Sequence, residues 1–517
     1  MTALHQPELT EPEAPPFGEP VASGHFEPFT KVVETHTAVV FFVDERVYKI
    51  KKPVSFGFVD FSRTEARRHA CHREVELNSR LSPDVYLGVA DVIAPDRTVC
   101  EHVVMMRRLP EQRRLSTLAR TVSPVRDHLE LLAALLARFH ARAARSAAID
   151  AAGTRDSVRT RWETNHQQMV PFIGSCFSSD TAAQVMGLAE RYLAGRDELF
   201  QARIDEGRVC DGHGDLLSDD IFCLDDGPRV LDCLEFDDRL RYGDVLADVA
   251  FLGMDLEHLG RPDLSRSFLG RYRELTGDQW PVSLEHHYVA YRAQVRALVT
   301  ALRYRQGDAE AAWEARHLLD LAARHLQAAR VRLVVIGGLP GTGKSSLASR
   351  VARSMDAEWI RSDVIRKRLA GVDPCTPVPA QFGDGIYTAE MTGSTYTEMM
   401  RQAHGLLRSG HNVVLDATFV DAAWREAARD LAFTTSADLD ELHCVAPISV
   451  LEDRLVKRAA RGDVSDATAD VARQLDRQKV PWPTAEVVET TEALHKVHRY
   501  VLDYLGVTGA GPGGAVQ

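Results

Sequence analysis

The chain has 517 residues, of which 45% are hydrophobic and 26% are charged, so it is long enough for two or three soluble globular domains. Its formal net charge of -12 at pH 7 excludes a protein that is basic throughout, although a local basic groove is compatible with it. No stretch approaches about 18 consecutive apolar residues, the N-terminus lacks a secretory pattern, and the eight cysteines have no metal-like spacing, which together predict a cytoplasmic protein without a membrane partner.

The first part of the chain predicts a disordered tail and then a small β-rich lobe. Residues 1–25 are rich in proline and glutamate and poor in aromatic residues, which indicates disorder. The segment that follows has short β-rich runs around one helical run. Its predicted elements are a hairpin of Ala38–Val43 and Arg46–Ile50, a helix over Thr64–Leu81, and strands at Gly88–Ile93 and His102–Met106.

A mostly helical lobe follows. Apolar residues that recur at helical spacing predict a helix over His128–Ala147. Short strands are predicted at Val209–Cys210, Ile221–Leu224 and Arg229–Leu234, and helices dominate again to about Ala329. The two lobes together predict an α+β domain over residues 26–328.

At Arg332 the pattern changes to that of a parallel α/β sheet. The run Leu333–Ile336 is apolar and ends at glycines, as expected for a buried parallel strand. Similar runs at Asn412–Leu415 and Leu442–Val445 alternate with helical segments. These alternations predict a second domain over residues 329–507, followed by a flexible tail at 508–517.

A phosphate-binding motif follows the first of these strands. Residues 338–345 read GLPGTGKS, which fits G-x-x-x-x-G-K-[ST] without gaps. In such a loop the backbone N–H groups surround phosphate oxygens, Lys344 reaches the β and γ phosphates, and Ser345 ligates Mg²⁺. A helix over Ser346–Ser354 adds a favourable dipole, while the alternative is a glycine-rich turn with an exposed lysine. The predicted nucleotide-binding residues are Gly338, Gly341, Thr342, Gly343, Lys344, Ser345 and Ser346.

Three further side chains are candidates for acceptor and metal chemistry. Asp363 follows the P-loop by about one helix and turn, where a carboxylate could take the proton of an attacking hydroxyl or could cap a helix. Arg366 could hold an anionic group of the acceptor or belong to a solvated helix face. Asp416 ends an apolar strand, where an acid orders the Mg²⁺ shell or the substrate, or is a plain turn residue.

Arginines recur along one edge of a later predicted helix. Arg454, Arg458 and Arg461 follow one another at helical spacing. Phosphoryl transfer needs cations near the charge that develops on the transferred group. A mobile lid that carries Arg458 or Arg461 would supply such a cation, and the alternative is an exposed run of charges.

These motifs, in this order over roughly residues 332–505, resemble the AAA-domain P-loop kinases, a group related to polynucleotide 5′-kinases, gluconate kinases and zeta-toxin-like kinases. The resemblance implies ATP and Mg²⁺ as cofactors and Asp363 as the base. It also implies Arg366 as an acceptor contact and Arg458 or Arg461 as the lid arginine. It does not fix the acceptor, because the group acts on sugars, nucleotides and RNA ends.

The helical lobe carries a second set of kinase-like motifs. The letters HGDL at 213–216 precede Asp220 and Asp232, and Gly243–Ala250 reads GDVLADVA. In order and spacing these residues resemble aminoglycoside phosphotransferases and protein kinases. The resemblance implies Asp215 as the catalytic base and Asp220 and Asp232 as Mg²⁺ ligands. Asp220 stands where those families have an asparagine, and a carboxylate still offers oxygen to Mg²⁺.

The small lobe carries the rest of this resemblance. Lys49 and Lys51 lie on one face of a predicted strand, and either could pair with ATP phosphates, with Glu74 as the helical partner. No G-x-G-x-x-G loop precedes that strand. The first domain is therefore either an active phosphotransferase or a degenerate regulatory or substrate-binding domain. His213 is expected to brace its loop.

As a whole, the sequence predicts a two-lobed protein-kinase-like α+β domain followed by a parallel-sheet α/β P-loop kinase domain. It resembles bacterial fusions of an aminoglycoside-phosphotransferase-like domain with a P-loop kinase. We expect an ATP-dependent kinase that phosphorylates a hydroxyl group of a small-molecule acceptor. One alternative is a nucleic-acid 5′-hydroxyl kinase, for which Arg361, Arg366, Lys367 and Arg368 offer a basic cluster. The other is an ATP-gated regulatory switch.

Overall fold

The structure is a computed structural model, and the residues that it describes are 31–35, 37–56, 59–121, 125–374, 376, 385–459, 469–478 and 480–507. The tails predicted at 1–25 and 508–517 lie outside these residues. The chain divides into two compact units. Of the described residues, one unit contains those up to His72 together with Val85–Arg108, and the other contains Arg73–Asp84 and those from Leu109 onward. None of the described helices is both long enough and apolar enough to cross a membrane.

The first unit contains an antiparallel sheet with the strand order β1-β2-β3-β7-β6. The predicted hairpin is confirmed as β2 and β3, which pair from Ala38 opposite Lys51 to Val43 opposite Arg46. Its turn is made by Asp44, whose φ of 49° is tolerated by aspartate. The elements of this region are β1 (Lys31–Glu34), β2 (Ala38–Val43), β3 (Arg46–Lys51), β4 (Ser55–Phe56), β5 (Val59–Asp60), α1 (Thr64–Asn78), β6 (Tyr86–Ile93) and β7 (Val99–Arg107).

The second unit begins with a helical part that includes two short strand pairs, β8 with β11 and β9 with β10. Serine and threonine side chains cap the first turns of three of its helices, which satisfies otherwise unpaired N–H groups. Its elements are α2 (Leu115–Ala119), α3 (Arg126–Arg142), α4 (Ala147–Ala152), α5 (Arg155–Met169), α6 (Ser179–Ala194), α7 (Asp197–Asp205), β8 (Val209–Asp211), β9 (Ile221–Leu224), β10 (Gly227–Val230), β11 (Tyr242–Asp244), α8 (Val245–His258), α9 (Pro262–Thr276), α10 (Val282–Arg305) and α11 (Ala311–Ala328).

The helix predicted over His128–Ala147 ends earlier, because its last carbonyl groups find a side-chain partner. The helix stops at Arg142, and Ala143 is extended. The Arg145 guanidinium donates hydrogen bonds to the carbonyl oxygens of His140 at 2.9 Å and Ala143 at 2.8 Å. These bonds replace the intrahelical ones that the end of a helix lacks.

The remainder of the second unit is a parallel α/β domain, as predicted. Its five strands have the order β13-β14-β12-β15-β16, and every described pairing between them is parallel. The elements are β12 (Arg332–Gly337), α12 (Lys344–Ser354), β13 (Ala357–Arg361), α13 (Ser362–Leu369), α14 (Ala389–Arg408), β14 (Asn412–Asp416), α15 (Ala422–Thr434), β15 (Asp438–Val445), α16 (Ile448–Ala459), α17 (Ala469–Gln478), β16 (Glu486–Glu489) and α18 (Leu494–Tyr504).

Within the second unit, the helical part and the parallel sheet share one hydrophobic core. Leu199 and Leu284 from the helices belong to the same buried cluster as Leu333 and Leu415 from the sheet. Only residues 329–331 separate α11 from β12. The parallel domain is therefore packed directly on the helical part, and the connection between them is short.

Polar contacts at the ends of α6 and α15 fix this packing. Arg196 is wholly buried and donates from Nη1 to the carbonyl oxygen of Thr435 at 2.8 Å. A second contact joins the start of α10 to the end of α14, where the Ser283 hydroxyl donates to the carbonyl oxygen of Gly410 at 2.6 Å. Because these contacts use backbone oxygens, they define the distance between the two parts.

Candidate active sites

The P-loop lies between β12 and α12 in the geometry that its glycines allow. Gly338 has a φ of 145°, and a Cβ at this position would lie 2.5 Å from the carbonyl oxygen of Cys444. Gly343 caps the N-terminus of α12 with a φ of 87°. The first N–H groups of a helix have no partner within it, so the start of α12 presents donors to an anion.

Two side chains from later in the domain, one in α16 and one just after β16, hydrogen-bond the backbone of the loop. The Arg454 guanidinium donates to the carbonyl oxygens of Gly341 at 3.4 Å, Thr342 at 3.3 Å and Thr490 at 2.6 Å. The Thr490 hydroxyl also donates to the carbonyl oxygen of Thr342. Because its carbonyl groups are held in this way, the loop keeps one shape. Arg454, which the sequence grouped with two lid arginines, therefore braces the P-loop.

Three neighbouring strands end at the same level beside this loop. Asp416, at the end of β14, is in register with Ile336 of β12 and with Arg361 of β13. Its side chain is buried, at 3% exposure, and burial raises its pKa. The charges of Lys344 and Arg361 and a hydrogen bond from Ser345 act in the opposite direction. These contacts bring Lys344, Ser345 and Asp416 together, so Asp416 is not an exposed turn residue.

The Asp416 carboxylate has an unused oxygen. Within the described part of the chain, its Oδ1 is buried and accepts no hydrogen bond, and the Arg361 Nε lies 3.7 Å from Oδ2. A buried carboxylate oxygen without a partner is costly unless a cation or a water molecule completes it. Carboxylate and hydroxyl oxygens are ligands that Mg²⁺ accepts. Asp416 and Ser345 therefore fit a hydrated Mg²⁺ at the phosphates.

Asp363 lies next to this cluster, in the first turn of α13. The strand before it ends at Arg361, which is also the N-cap of the helix and makes no capping bond with its side chain. Asp363 is thus not the N-cap, which removes the structural alternative considered from the sequence. Its negative charge acts on the Asp416 carboxyl group, so the two carboxylates face the same region.

Arg366 is buried, at 7% exposure, and does not lie on a solvated helix face. Its Nη1 donates to the Thr392 hydroxyl at 3.0 Å and to the carbonyl oxygen of Ile386 at 3.2 Å. The guanidinium carbon lies 5.0 Å from the centre of the Tyr387 ring. Its Nε is buried and has no hydrogen-bond partner among the described residues. The guanidinium is held in place with donor capacity to spare.

The structure tests the predicted basic cluster but does not test the predicted lid arginines. Arg461 and the side chain of Arg458 lie outside the described residues, so their role stays a prediction. Lys367 is buried, at 1% exposure, and its Nζ donates to the carbonyl oxygen of Thr376 at 2.9 Å. The run from Arg361 to Arg368 is therefore not a continuous exposed basic surface, contrary to the expectation for a nucleic-acid site.

In the helical part, one carboxylate organises the loop with the HGD motif. Asp248 accepts hydrogen bonds from the N–H of His213 and of Gly214, both at 2.8 Å, and from Nε2 of His140 at 3.0 Å. Burial opposes its ionisation, but the hydrogen bond and charge of His140 hold its pKa below the ordinary value. Asp248, found through its motif, is thus a structural anchor of the loop.

His213 braces the same loop, as expected. Its Nε2 lies 3.1 Å from the carbonyl oxygen of Leu231, and its Nδ1 accepts from the N–H of Asp215 at 3.3 Å. Burial lowers its pKa to about 4, so the ring is neutral at pH 7. Arg292 completes the support by donating to the carbonyl oxygen of Gly214 at 3.2 Å.

The candidate base and metal ligands of this part lie on facing segments. Burial raises the pKa of Asp215 to about 6, and the charge of Asp232 contributes in the same direction. The strand predicted over Arg229–Leu234 stops at Val230, where the N–H of Leu231 turns to the carbonyl oxygen of Asp220 at 2.9 Å. Asp232 then adopts a φ of 65° and does not end a strand.

The extra acid beside Asp220 is accounted for by a hydrogen bond. The Asp219 carboxylate accepts a hydrogen bond from the Ser116 hydroxyl, and the carbonyl oxygen of Asp219 accepts one from Arg114. The Asp219 carboxylate therefore has a hydrogen-bond donor in α2, and this neutral hydroxyl leaves the negative charge beside Asp220 in place.

The predicted lysines and their helical partner are placed as follows. Lys49 and Lys51 both lie on β3, where Lys51 is buried at 2% exposure and its Nζ lies 5.3 Å from the centre of the Phe61 ring. Glu74, in α1, is wholly buried. Lys51 and Glu74 are therefore not ordinary surface residues, and their role at a nucleotide stays a prediction.

Sequence reasoning missed the supporting residues of both sites. His140, Arg292 and Thr490 are far along the chain from the loops that they hold, and no local motif marks them. Only their contacts in the fold identify them.

Comparisons with known proteins assign families to both parts. A model of the phosphotransferase enzyme family matches residues 43–286, and a model of the AAA domain matches residues 333–481. An uncharacterized protein of Mycobacterium tuberculosis is 44% identical over 464 residues, which are 90% of this chain and 93% of the relative. The two family matches coincide with the two sets of motifs.

Two solved structures are similar over a share of the chain. A choline/ethanolamine kinase family protein from Mesorhizobium loti is 13% identical, with a TM-score of 0.37, and the match covers 58% of this chain and 92% of that one. A gluconokinase from Sinorhizobium meliloti is 17% identical, with a TM-score of 0.26, and covers 34% and 91%.

Proposed function

Because the chain belongs to a family in which a phosphotransferase domain is joined to an AAA-type P-loop kinase domain, we propose that its P-loop domain transfers the γ-phosphoryl group of Mg-ATP to a hydroxyl group of a small anionic molecule. The observation that carries this proposal is the convergence of Lys344, Ser345 and Asp416 at the strand ends, next to Asp363. A phosphate-binding loop, a metal-ligand pair and a candidate base then share one edge of the sheet.

In this proposal each side chain has one role. The P-loop N–H groups and Lys344 bind the phosphates, and Ser345 with Asp416 would hold Mg²⁺, which neutralises phosphate charge when bound. Asp363 accepts the proton of the acceptor hydroxyl as the oxygen attacks the γ-phosphorus. The acceptor oxygen gains the phosphoryl group, and ADP leaves with the former bridging oxygen.

The anionic character of the acceptor is inferred from Arg366. Its guanidinium is buried, its Nε donor has no partner within the described residues, and a buried donor without a partner is costly. A carboxylate or phosphate group on the acceptor would supply the missing partner and would be bound with defined orientation. The buried Lys367 disfavours the nucleic-acid alternative, because it removes one cation from the surface that a long polyanion would follow.

For the first domain, we infer that it binds a nucleotide with Mg²⁺ through Asp220 and Asp232. The facing segments that carry these acids support the inference, as does the hydrogen bond that occupies Asp219. A second phosphoryl transfer, with Asp215 as base, is compatible with this arrangement. The elevated pKa of Asp215 is typical of groups that exchange protons.

The test is product analysis with the full chain and γ-labelled ATP. Separate acceptor pools contain hydroxy acids, neutral sugars and RNA with a 5′-hydroxyl end. We expect label in the hydroxy-acid pool, and Lys344→Ala should abolish it without changing Tm, because Lys344 is partly exposed. Label only in RNA would select the nucleic-acid alternative, and release of inorganic phosphate alone would select the ATP-gated switch.

The role of Asp363 is tested with a matched pair of variants. Asp363→Asn should lower acceptor phosphorylation by about 10²–10⁴-fold while ATP affinity stays within a few-fold. Asp430→Asn, an equal change of charge at an exposed position of α15, should leave both unchanged. If ATP affinity falls in parallel with activity in Asp363→Asn, then Asp363 supports the metal or the fold and is not the base.

A further inference from the structure

A separate cavity of about 420 Å³ lies between the second half of α1 and the C-terminal half of α3, against β8. None of the residues assigned above to nucleotide, metal or acceptor lines it. The volume is within the range of small-molecule pockets, about 300–1,000 Å³, and is larger than a bare phosphate or sulfate ion requires.

Positive charge dominates the wall of this cavity. Four arginines line it, at 73, 80, 138 and 142, against the two acids Glu76 and Asp211. Both acids already accept hydrogen bonds from arginines of the protein. Glu76 accepts from Nη1 of Arg73 at 2.8 Å, and Asp211 accepts from Nε of Arg241 at 2.8 Å, with Arg80 at 3.6 Å.

The two arginines of α3 that line the cavity remain available. In the part of the chain that the structure describes, Arg138 and Arg142 form no hydrogen bond or ion pair, and both are exposed at the cavity. They are four residues apart on one helix, so their side chains lie on the same face. Two guanidinium groups on one face can bind the oxygens of a single phosphate dianion.

The rest of the wall is apolar. Leu77 and Phe139 are buried and line the cavity together with Leu135. The Arg80 guanidinium carbon lies 5.0 Å from the centre of the Phe139 ring, which leaves an amphipathic surface of ring and cation. A ligand that fills this space has a compact apolar or aromatic group beside its anionic group.

We propose that this cavity binds an organic phosphate monoester, with the phosphate on Arg138 and Arg142 and the organic group against Leu135 and Phe139. The site borders the loop of the first kinase-like domain. Arg80 donates to the carbonyl oxygen of Asp211 at 3.2 Å and to that of Gly212 at 2.9 Å, immediately before the HGD motif. A ligand in the cavity would therefore contact Arg80, the side chain that hydrogen-bonds the backbone just before this loop.

The experiment is calorimetric titration of the full chain with phenyl phosphate, in the presence of saturating Mg-ADP so that the nucleotide sites are filled. The double variant Arg138→Gln/Arg142→Gln should weaken binding at least about tenfold, because it removes the charge-assisted hydrogen bonds. Its Tm should stay unchanged, since neither side chain has a partner to lose among the residues that the structure describes. The matched control, Arg126→Gln/Arg266→Gln, removes two exposed arginines elsewhere and should bind within about twofold of the wild type.

Two further titrations separate the parts of the ligand. Inorganic phosphate and phenol should each bind at least about fivefold more weakly than phenyl phosphate, because each lacks one half of the contacts. The proposal is overturned if phenyl phosphate does not bind, if the double variant binds as the wild type does, or if the control variant loses binding equally. Equal binding of inorganic phosphate and phenyl phosphate would also overturn it, because the apolar wall would then have no role.

Discussion

The contact between α6 and α15 makes Gly195 the most informative position for a test of how the two parts of the second unit pack. A Cβ at this position would lie 2.1 Å from the carbonyl oxygen of Thr435 and 2.7 Å from its carbonyl carbon. An ordinary contact begins at 3.4 Å, so Gly195→Ala forces two backbone segments apart by more than an ångström. Gly195 has a φ of -112°, which alanine also adopts, so the cost is steric and not conformational.

The magnitude follows from two contributions. Overpacking of a well-packed site typically costs about 1–3 kcal/mol. Separation of the helix ends also lengthens the hydrogen bond from the buried Arg196 to the Thr435 carbonyl, and a bond to a charged group contributes roughly 1.5–3 kcal/mol. Gly195→Ala should therefore destabilise the protein by up to about 2.5–6 kcal/mol and lower Tm by several degrees.

Thermal unfolding of the full chain measures this effect, and Gly187→Ala provides the control. Gly187 lies within α6, for which Gly195 is the C-cap, and a Cβ at Gly187 would have no atom within 4 Å. Replacement of a helical glycine by alanine gains up to about 1 kcal/mol, so this control should raise Tm slightly. The packing argument is refuted if Gly195→Ala has a Tm equal to or above that of the wild type.

Three other outcomes are expected. Asp248→Asn should lower Tm by an amount equivalent to about 2–4 kcal/mol. The amide has no negative charge to offer His140, and it has only one oxygen for the two loop N–H groups that the carboxylate accepts. An unchanged Tm would show that the loop does not depend on this carboxylate. Burial raises the pKa of Asp215 from 3.8 to about 6, so between these pH values the folded protein binds more protons than the unfolded chain. The wild type should therefore lose stability relative to Asp215→Asn as the pH rises from about 4 to 6. A Tm difference between the two proteins that stays constant over this range would contradict the raised pKa. In the Lys344→Ala background, calorimetry should detect Mg²⁺-dependent ATP binding by the first domain, and Asp220→Asn should bind equally or more tightly; loss of binding would show that the Asp220 carboxylate is needed for the metal.

The sequence predicts those parts of the fold whose cause is local. The hairpin of β2 and β3 and the strand of β12 follow from short apolar runs between turn residues, and all are present. By contrast, β16 was not predicted, because four residues at the edge of a sheet carry little pattern and gain their structure from pairing with β15. The early end of α3 depends on Arg145, a side chain that reaches back to carbonyl groups from outside the helix.

The same distinction applies to the candidate sites. The P-loop is readable because its function needs fixed residue types at fixed spacing. Arg454 shows the limit of such reading. Helical periodicity places it with the lid arginines, whereas its partner is Thr490, which is 36 residues away. A periodic pattern indicates which face of a helix a residue occupies, but the partner on that face is decided by the fold.

The short connection between α11 and β12 has a consequence for how the protein can be assembled. Residues 329–331 span at most about 10 Å when fully extended. The surfaces that carry Arg196 and Thr435 are thus held together at an effective concentration that dilution cannot lower. Two separately made halves would have to find each other at their own concentrations and would expose apolar surface until they did. Translation of a single chain delivers the helical part and the parallel domain in equal number and joined at this short distance.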